Sequence, residues 1–198
     1  KRPSPWRKAS LIARAIQKGE YKMSVLAIGI CLWIVAQLAK RVIPSALMRL
    51  GAQGKAIMAF LILISLILMV WGYSQAEVVA LYSPLAGMGH LNNGLMLISV
   101  YLFGVGGTKG LLFTRMRHPM LWGAVIWSAA HLVVNGDLAS LLLFGGMGIW
   151  ALVNMALINR AGPWSRPAGG RGLKGDSMNL VGTLILYGLF AWVHIWTG

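Results

Sequence analysis

Acidic side chains are almost missing from this sequence: four Asp and Glu stand against 18 Lys and Arg in 198 residues, a formal net charge of +14. No paired carboxylates are available for glycosidase-type acid–base work, and no serine, histidine and acid form a convincing hydrolytic set. Cysteine is represented by Cys31 alone, inside an apolar run, which excludes a disulfide or a thiolate metal cluster within one chain. Charged residues of both signs make up 11%, less than half of the roughly 25% usual in soluble domains. Gly145, Gly146 and Gly148 are followed by no Lys-Ser or Lys-Thr, so they suit close helix contact rather than a phosphate-binding loop.

What the chain has instead is apolar surface, 58% of residues with a mean hydropathy of +0.70, and this composition belongs to an integral membrane protein. Apolar runs fall at 23–39, 56–73, 94–107, 119–134, 138–158 and 178–196, most of them near the roughly 20 residues that a spanning helix needs. The expected fold is all-α, a polytopic transmembrane bundle of about six helices. The run 94–107 is the shortest and is rich in glycine, which suits close packing in lipid. No internal repeat is visible, and one membrane domain over 23–198 accounts for the chain beyond its first 22 residues.

The cations lie between the runs. Segment 40–55 carries four, 108–118 three and 159–176 four, while 74–93, 135–137 and the C-terminus carry none. This alternation places the three basic loops in the cytoplasm and the others on the opposite side, and it explains the net charge without nucleic acid as a partner. Residues 1–22 hold seven further cations, with Trp6, Leu11, Ile12, Ala15 and Ile16 spaced as an apolar stripe on a basic helix. With six spans this arm falls on the non-cytoplasmic side, against the charge rule. Either the first run does not span, or an anionic partner such as a larger membrane complex holds the arm; a solvated basic arm is the plainer use of the same residues. No small-residue cleavage site follows the arm, so no cleavable signal is expected, and a start at Lys1 points to residues upstream.

Chemistry concentrates in 115–144. His118-Pro119 opens a helix, since proline is tolerated in the first turn, where its missing N–H has no helical partner anyway. That helix runs through His131 to Asn135-Gly136-Asp137, where Gly136 is expected to turn left-handed and Asp137 to cap the next helix. Two helices then make a tight hairpin. His90, His131 and His194 all fall towards the non-cytoplasmic side, whereas His118 starts its span at the other face. On the fourth span Ala124, Trp127, Ser128, His131 and Asn135 share a face, and on the sixth Thr183, Tyr187 and His194 do so. Imidazoles at membrane depth are candidate metal or haem ligands. Asn135, Asp137 and Tyr187 are candidate supports for them. Each of these groups also has a structural use: a histidine can hydrogen-bond across helices, and Asp137 can simply cap. Trp71, Tyr73, Trp192 and Trp196 read as interface belts.

Four segments together resemble a known family: RHPMLWG, the following AHLVVNGDLASLLLFGG, the VWGY that ends the second span, and ALINRAGPWSRP before the sixth. They are similar to the NnrU family of bacterial membrane proteins, from about Met23 to the end. The resemblance implies the bacterial inner membrane and an association with denitrification and nitric oxide metabolism. It also implies kinship with zeta-carotene isomerase, a membrane enzyme carrying haem b. His118, Pro119, His131, Asn135, Gly136 and Asp137 match the family's RHP and AH…NGD patterns, and His90 matches the histidine before the third span. One position departs: where a histidine is usual near the end of the first span, this chain reads Val35-Ala36-Gln37. If that histidine is a haem ligand paired with His118, Gln37 has replaced it. The function implied is tetrapyrrole binding linked to nitric-oxide or isomerase-like redox chemistry. The alternative is a non-catalytic accessory subunit of a larger bioenergetic or photosynthetic membrane complex.

Overall fold

The computed structural model describes the backbone of residues 5–197 and, apart from Lys40, Ala46 and Met48, the side chains of 21–196. The apolar stripe expected on the arm lies outside the described side chains. The helices are α1 (Pro5–Val42), α2 (Pro44–Arg49), α3 (Gly51–Gln75), α4 (Met88–Thr108), α5 (Leu111–Arg115), α6 (Pro119–Val134), α7 (Leu138–Ser140), α8 (Gly146–Ala161) and α9 (Gly172–Thr197), with a wide π-helical turn, Leu141–Gly145, between α7 and α8. The expected all-α bundle is what the chain forms. Helix α1 runs through residue 22 without a break, and no proline falls there to interrupt its backbone.

Each of the six apolar runs lies in one long helical segment. Among the described residues four segments are long and apolar enough to cross a membrane: Tyr21–Ala39, Gly51–Gln75, Leu138–Ala161 and Gly172–Trp196. The helix α6 is apolar but has 16 residues, about 24 Å at 1.5 Å per residue, less than the roughly 30 Å hydrocarbon thickness. The run 94–107 belongs to a helix of 21 residues, because α4 begins at Met88 after a left-handed Gly87. His90, Asn92 and Asn93 depress the hydropathy of that first turn without breaking its backbone.

Two compact units are present: residues 1–82 with 137–143, and 83–136 with 144–198. In the first, α1 and α3 pack antiparallel at very short range. A Cβ on Gly72 would stand 2.6 Å from the Leu26 backbone nitrogen, and one on Gly29 would stand 2.8 Å from that of Met69. These reciprocal contacts set the register, with Leu26 and Ser65 fully buried. In the same unit Asp137 opens α7, accepting from the Ser140 N–H at 2.9 Å and from the Ser140 hydroxyl at 2.6 Å. Tyr73 lies 2.9 Å from that hydroxyl. Since Ser140 gives its proton to the carboxylate, Tyr73 is the donor to Ser140.

One local expectation is corrected here. Gly136 is not left-handed: the positive-φ glycines are Gly51, Gly87, Gly169 and Gly172. The chain instead leaves α6 extended at Asn135, with φ −122° and ψ 112°. An isolated antiparallel bridge, Ala80 to Asp137, takes up the extended backbone, and Leu138 N–H donates to Val79 O at 2.9 Å. A β-like path gives this backbone partners that a left-handed turn would not.

The second unit packs α4 against α6 and α9, and α6 against α8. Ser99 donates to Gly123 O at 2.8 Å across α4 and α6. Between α4 and α9, the Asn179 amide donates to Tyr101 O at 2.9 Å, and Tyr101 donates to Asp176 at 3.1 Å. Asp176 also receives Leu111 N–H at 3.1 Å, capping the start of α5.

Gly72→Val should force α1 away from α3, since the nearest atoms are backbone and cannot rotate aside. Overpacking of this kind costs about 1–3 kcal/mol. A lowered thermal midpoint of the full chain in detergent is the expected result, and an unchanged midpoint would refute the packing argument.

Candidate functional site

Within the second unit the antiparallel registers bring three histidines to one end. From the Ser99–Gly123 contact, His90 and His131 lie nine and eight residues further along their helices, about 12–14 Å at 1.5 Å per residue. From the Tyr101–Asn179 contact, α9 reaches the level of His90 within about one helical turn of His194.

His131 and His194 are drawn together, with ring centroids 6.5 Å apart. His90 shares their layer but is exposed. Among the described residues no three His, Cys, Asp or Glu side chains gather as a metal-binding group. The two imidazoles are held alike. His131 Nδ1 lies 3.0 Å from Trp127 O, and His194 Nδ1 lies 2.8 Å from Phe190 O, each the carbonyl one turn earlier. A carbonyl only accepts, so Nδ1 carries the proton, and in neutral imidazole the lone pair then sits on Nε2. Neither Nε2 has a hydrogen-bond partner among the described residues.

Aromatic rings fix His131 further. Phe144 stacks on it at 4.2 Å and 22°, while Trp127 lies 5.1 Å from His131 and meets Phe144 edge-on at 4.9 Å. Phe144 is buried and sits in the wide turn between α7 and α8. Sequence reading missed it: a phenylalanine in LASLLLFGG looks like any other apolar residue, and nothing local to it announces a π turn or a partner at His131. Turns of this type are frequent at functional sites.

The other expected residues have separate positions. Asn135 donates to His131 O at 2.9 Å and so closes the end of α6. Both carboxylate oxygens of Asp137 are taken by Ser140 in the first unit. Tyr187 is two turns before His194 on α9. His118 is at the opposite end of the second unit, 2.8 Å from Asn159 Oδ1. Gln37 belongs to α1, in the first unit.

Beside His118, the Arg117 guanidinium donates to Ile158 O at 3.0 Å and Gly162 O at 2.7 Å. The sequence pieces RHP and INRAG therefore form one clasp, an arginine capping the C-terminal carbonyls of α8 and a histidine pairing with Asn159.

Long apolar helices, polar groups gathered at helix ends and a histidine layer at one end define a polytopic helical membrane protein. The comparison with known families makes this specific: the chain belongs to the NnrU family, whose model, described as NnrU protein, matches residues 16–198. The match starts before residue 23 and takes in the end of the basic arm. No curated protein and no solved structure matches the chain.

Arg117→Met should leave two carbonyls at the end of α8 without their charged donor, a loss of about 2 kcal/mol. Denaturation of the full chain should show it, whereas Arg166→Met, at an exposed position in the following loop, should leave stability unchanged.

Proposed function

We propose that this NnrU protein binds a tetrapyrrole, haem b, against His131 and His194, and serves nitric-oxide-linked or isomerase-like redox chemistry in the bacterial inner membrane. The observation that supports this reading is the pair of imidazoles with Nδ1 engaged and Nε2 left for a ligand. Two imidazoles suit haem iron, which needs only one or two axial protein donors, better than structural zinc, which needs four. When bound, haem supplies one-electron chemistry and an iron that takes diatomic ligands. The chain's own residues orient and shield. The carbonyls of Trp127 and Phe190 fix both tautomers, and raise the donor strength of Nε2 as partners behind a ligand do. Trp127 and Phe144 exclude water from one side of His131. His90 lies in the same layer, and Tyr187 lies about 10 Å down α9 at 1.5 Å per residue.

An absorption spectrum of the purified full chain tests this. A Soret band that shifts on reduction is the expected result. His131→Ala should abolish it, and His118→Ala should retain it, since about 20 Å of helix separates the two positions. A colourless chain that co-purifies stoichiometrically with a larger membrane complex would overturn the proposal in favour of an accessory subunit.

The proposed orientation, with 40–55, 108–118 and 159–176 cytoplasmic, has its own check. In a Cys31→Ala background, single cysteines at the exposed positions Ser45 and Ser165 should be labelled by an impermeant reagent from the same side. Labelling from opposite faces would refute it.

A further inference from the structure

The elbow between the first two spans has features unrelated to the histidine layer. After α1 ends, the short helix α2 folds back against the start of α3, and two glycines allow the turn. Gly51 takes φ +52°, which an L side chain rarely adopts, and a Cβ on Gly54 would stand 2.9 Å from Leu47 O. Between α2 and α3 the fold leaves a groove of about 720 Å³, its apolar wall made by Pro44, Leu47, Met58, Ala59 and Ile62, with Lys55 on its lining. Around it Val42, Ile43, Ile57 and Phe60 are exposed, as in a surface facing hydrocarbon.

Charge at the same place is of one sign. Arg41, Arg49 and Lys55 are exposed, and no Asp or Glu occurs between residues 21 and 76. Lys55 lines an apolar groove one turn inside the start of a spanning helix, and Arg41 and Arg49 stand within a few residues of Pro44 and Gly51 on the same lining. That is the level at which a lipid phosphate meets its acyl chains, and a lysine stem can cover apolar surface while its ammonium reaches the headgroup.

We infer that the α2–α3 elbow is a binding site for an anionic phospholipid of the surrounding bilayer, with an acyl chain in the groove and the phosphate at Lys55. The site holds the lipid by shape and charge together, so it discriminates against a zwitterionic lipid with the same chains. It also ties α2 to the membrane surface.

Native mass spectrometry of the full chain in detergent tests this, with dioleoyl phosphatidylglycerol and dioleoyl phosphatidylcholine as probes. Phosphatidylglycerol should be retained several-fold over phosphatidylcholine. Lys55→Gln should cut that preference about fivefold, the factor matching about 1 kcal/mol per basic residue near an anionic surface. Ala59→Trp, at an exposed position, should fill the groove and reduce retention of both lipids, while Lys174→Gln in the other unit should change neither. Equal retention of the two lipids by the parent chain would overturn the inference. So would a preference that survives both Lys55→Gln and Ala59→Trp in variants with the parental thermal midpoint. Displacement of phosphatidylglycerol by millimolar inorganic phosphate alone would assign the cations to a free anion and likewise overturn it.

Discussion

Hydrocarbon cannot hydrogen-bond a peptide group, so every helix end in this chain needs a partner from the protein or from water. With four acids in 198 residues, those partners are few, and their placement organises the structure. Asp137 closes the start of α7, Asp176 receives the first N–H of α5, and Arg117 covers two carbonyls at the end of α8. The same side chains that satisfy the ends also join helices distant in sequence. Asp176 reaches Tyr101 on α4, and the Ser140 hydroxyl held by Asp137 receives Tyr73 from α3. Each polar group thus serves backbone satisfaction and register at once.

Small residues do the rest of the positioning. Without a hydrophobic drive between helices in lipid, close backbone approach and dispersion have to hold them. Gly72 on Leu26 does this for α1 and α3, and Gly148, where a Cβ would stand 3.2 Å from the Ser128 Cβ, does it for α6 and α8. The large apolar side chains of α3 and α9, such as Phe60, Val70, Val181 and Ile185, point outward. In a soluble domain this would be an inside-out protein; in a bilayer it is the expected arrangement.

These two rules decide what was legible in the sequence. The helical runs were, because hydropathy reports which segments face lipid. So were Pro119 at the start of α6 and Asp137 as a cap, since both rest on chemistry local to a few residues. Helix α4 extends beyond the apolar run 94–107 to Met88, because polarity at His90, Asn92 and Asn93 changes hydropathy but not helix formation. Gly136 was expected to be left-handed from its neighbours alone; instead Asn135 is extended, and Asp137 pairs with Ala80, nearly 60 residues away in sequence. The matched depth of His90, His131 and His194 followed from counting residues along antiparallel spans. Their lateral positions did not, since a span's rotation is set by contacts such as Ser99 with Gly123.

The wide turn Leu141–Gly145 shows how far a single residue can alter a site. A π turn inserts one residue into the helical ladder, and at 3.6 residues per turn that rotates everything beyond it by about 100°. Phe144 lies inside this turn and stacks on His131 at 4.2 Å. With the ring there, His131 is fixed by its Nδ1 bond to Trp127 O and by a flat apolar surface, which leaves Nε2 as its remaining polar atom. His194 has the same backbone bond but stands exposed, with no ring stacked on it among the described contacts. The two imidazoles are therefore equal in tautomer and unequal in rigidity. A ligand taken between them would find one fixed donor and one able to adjust by side-chain rotation on α9.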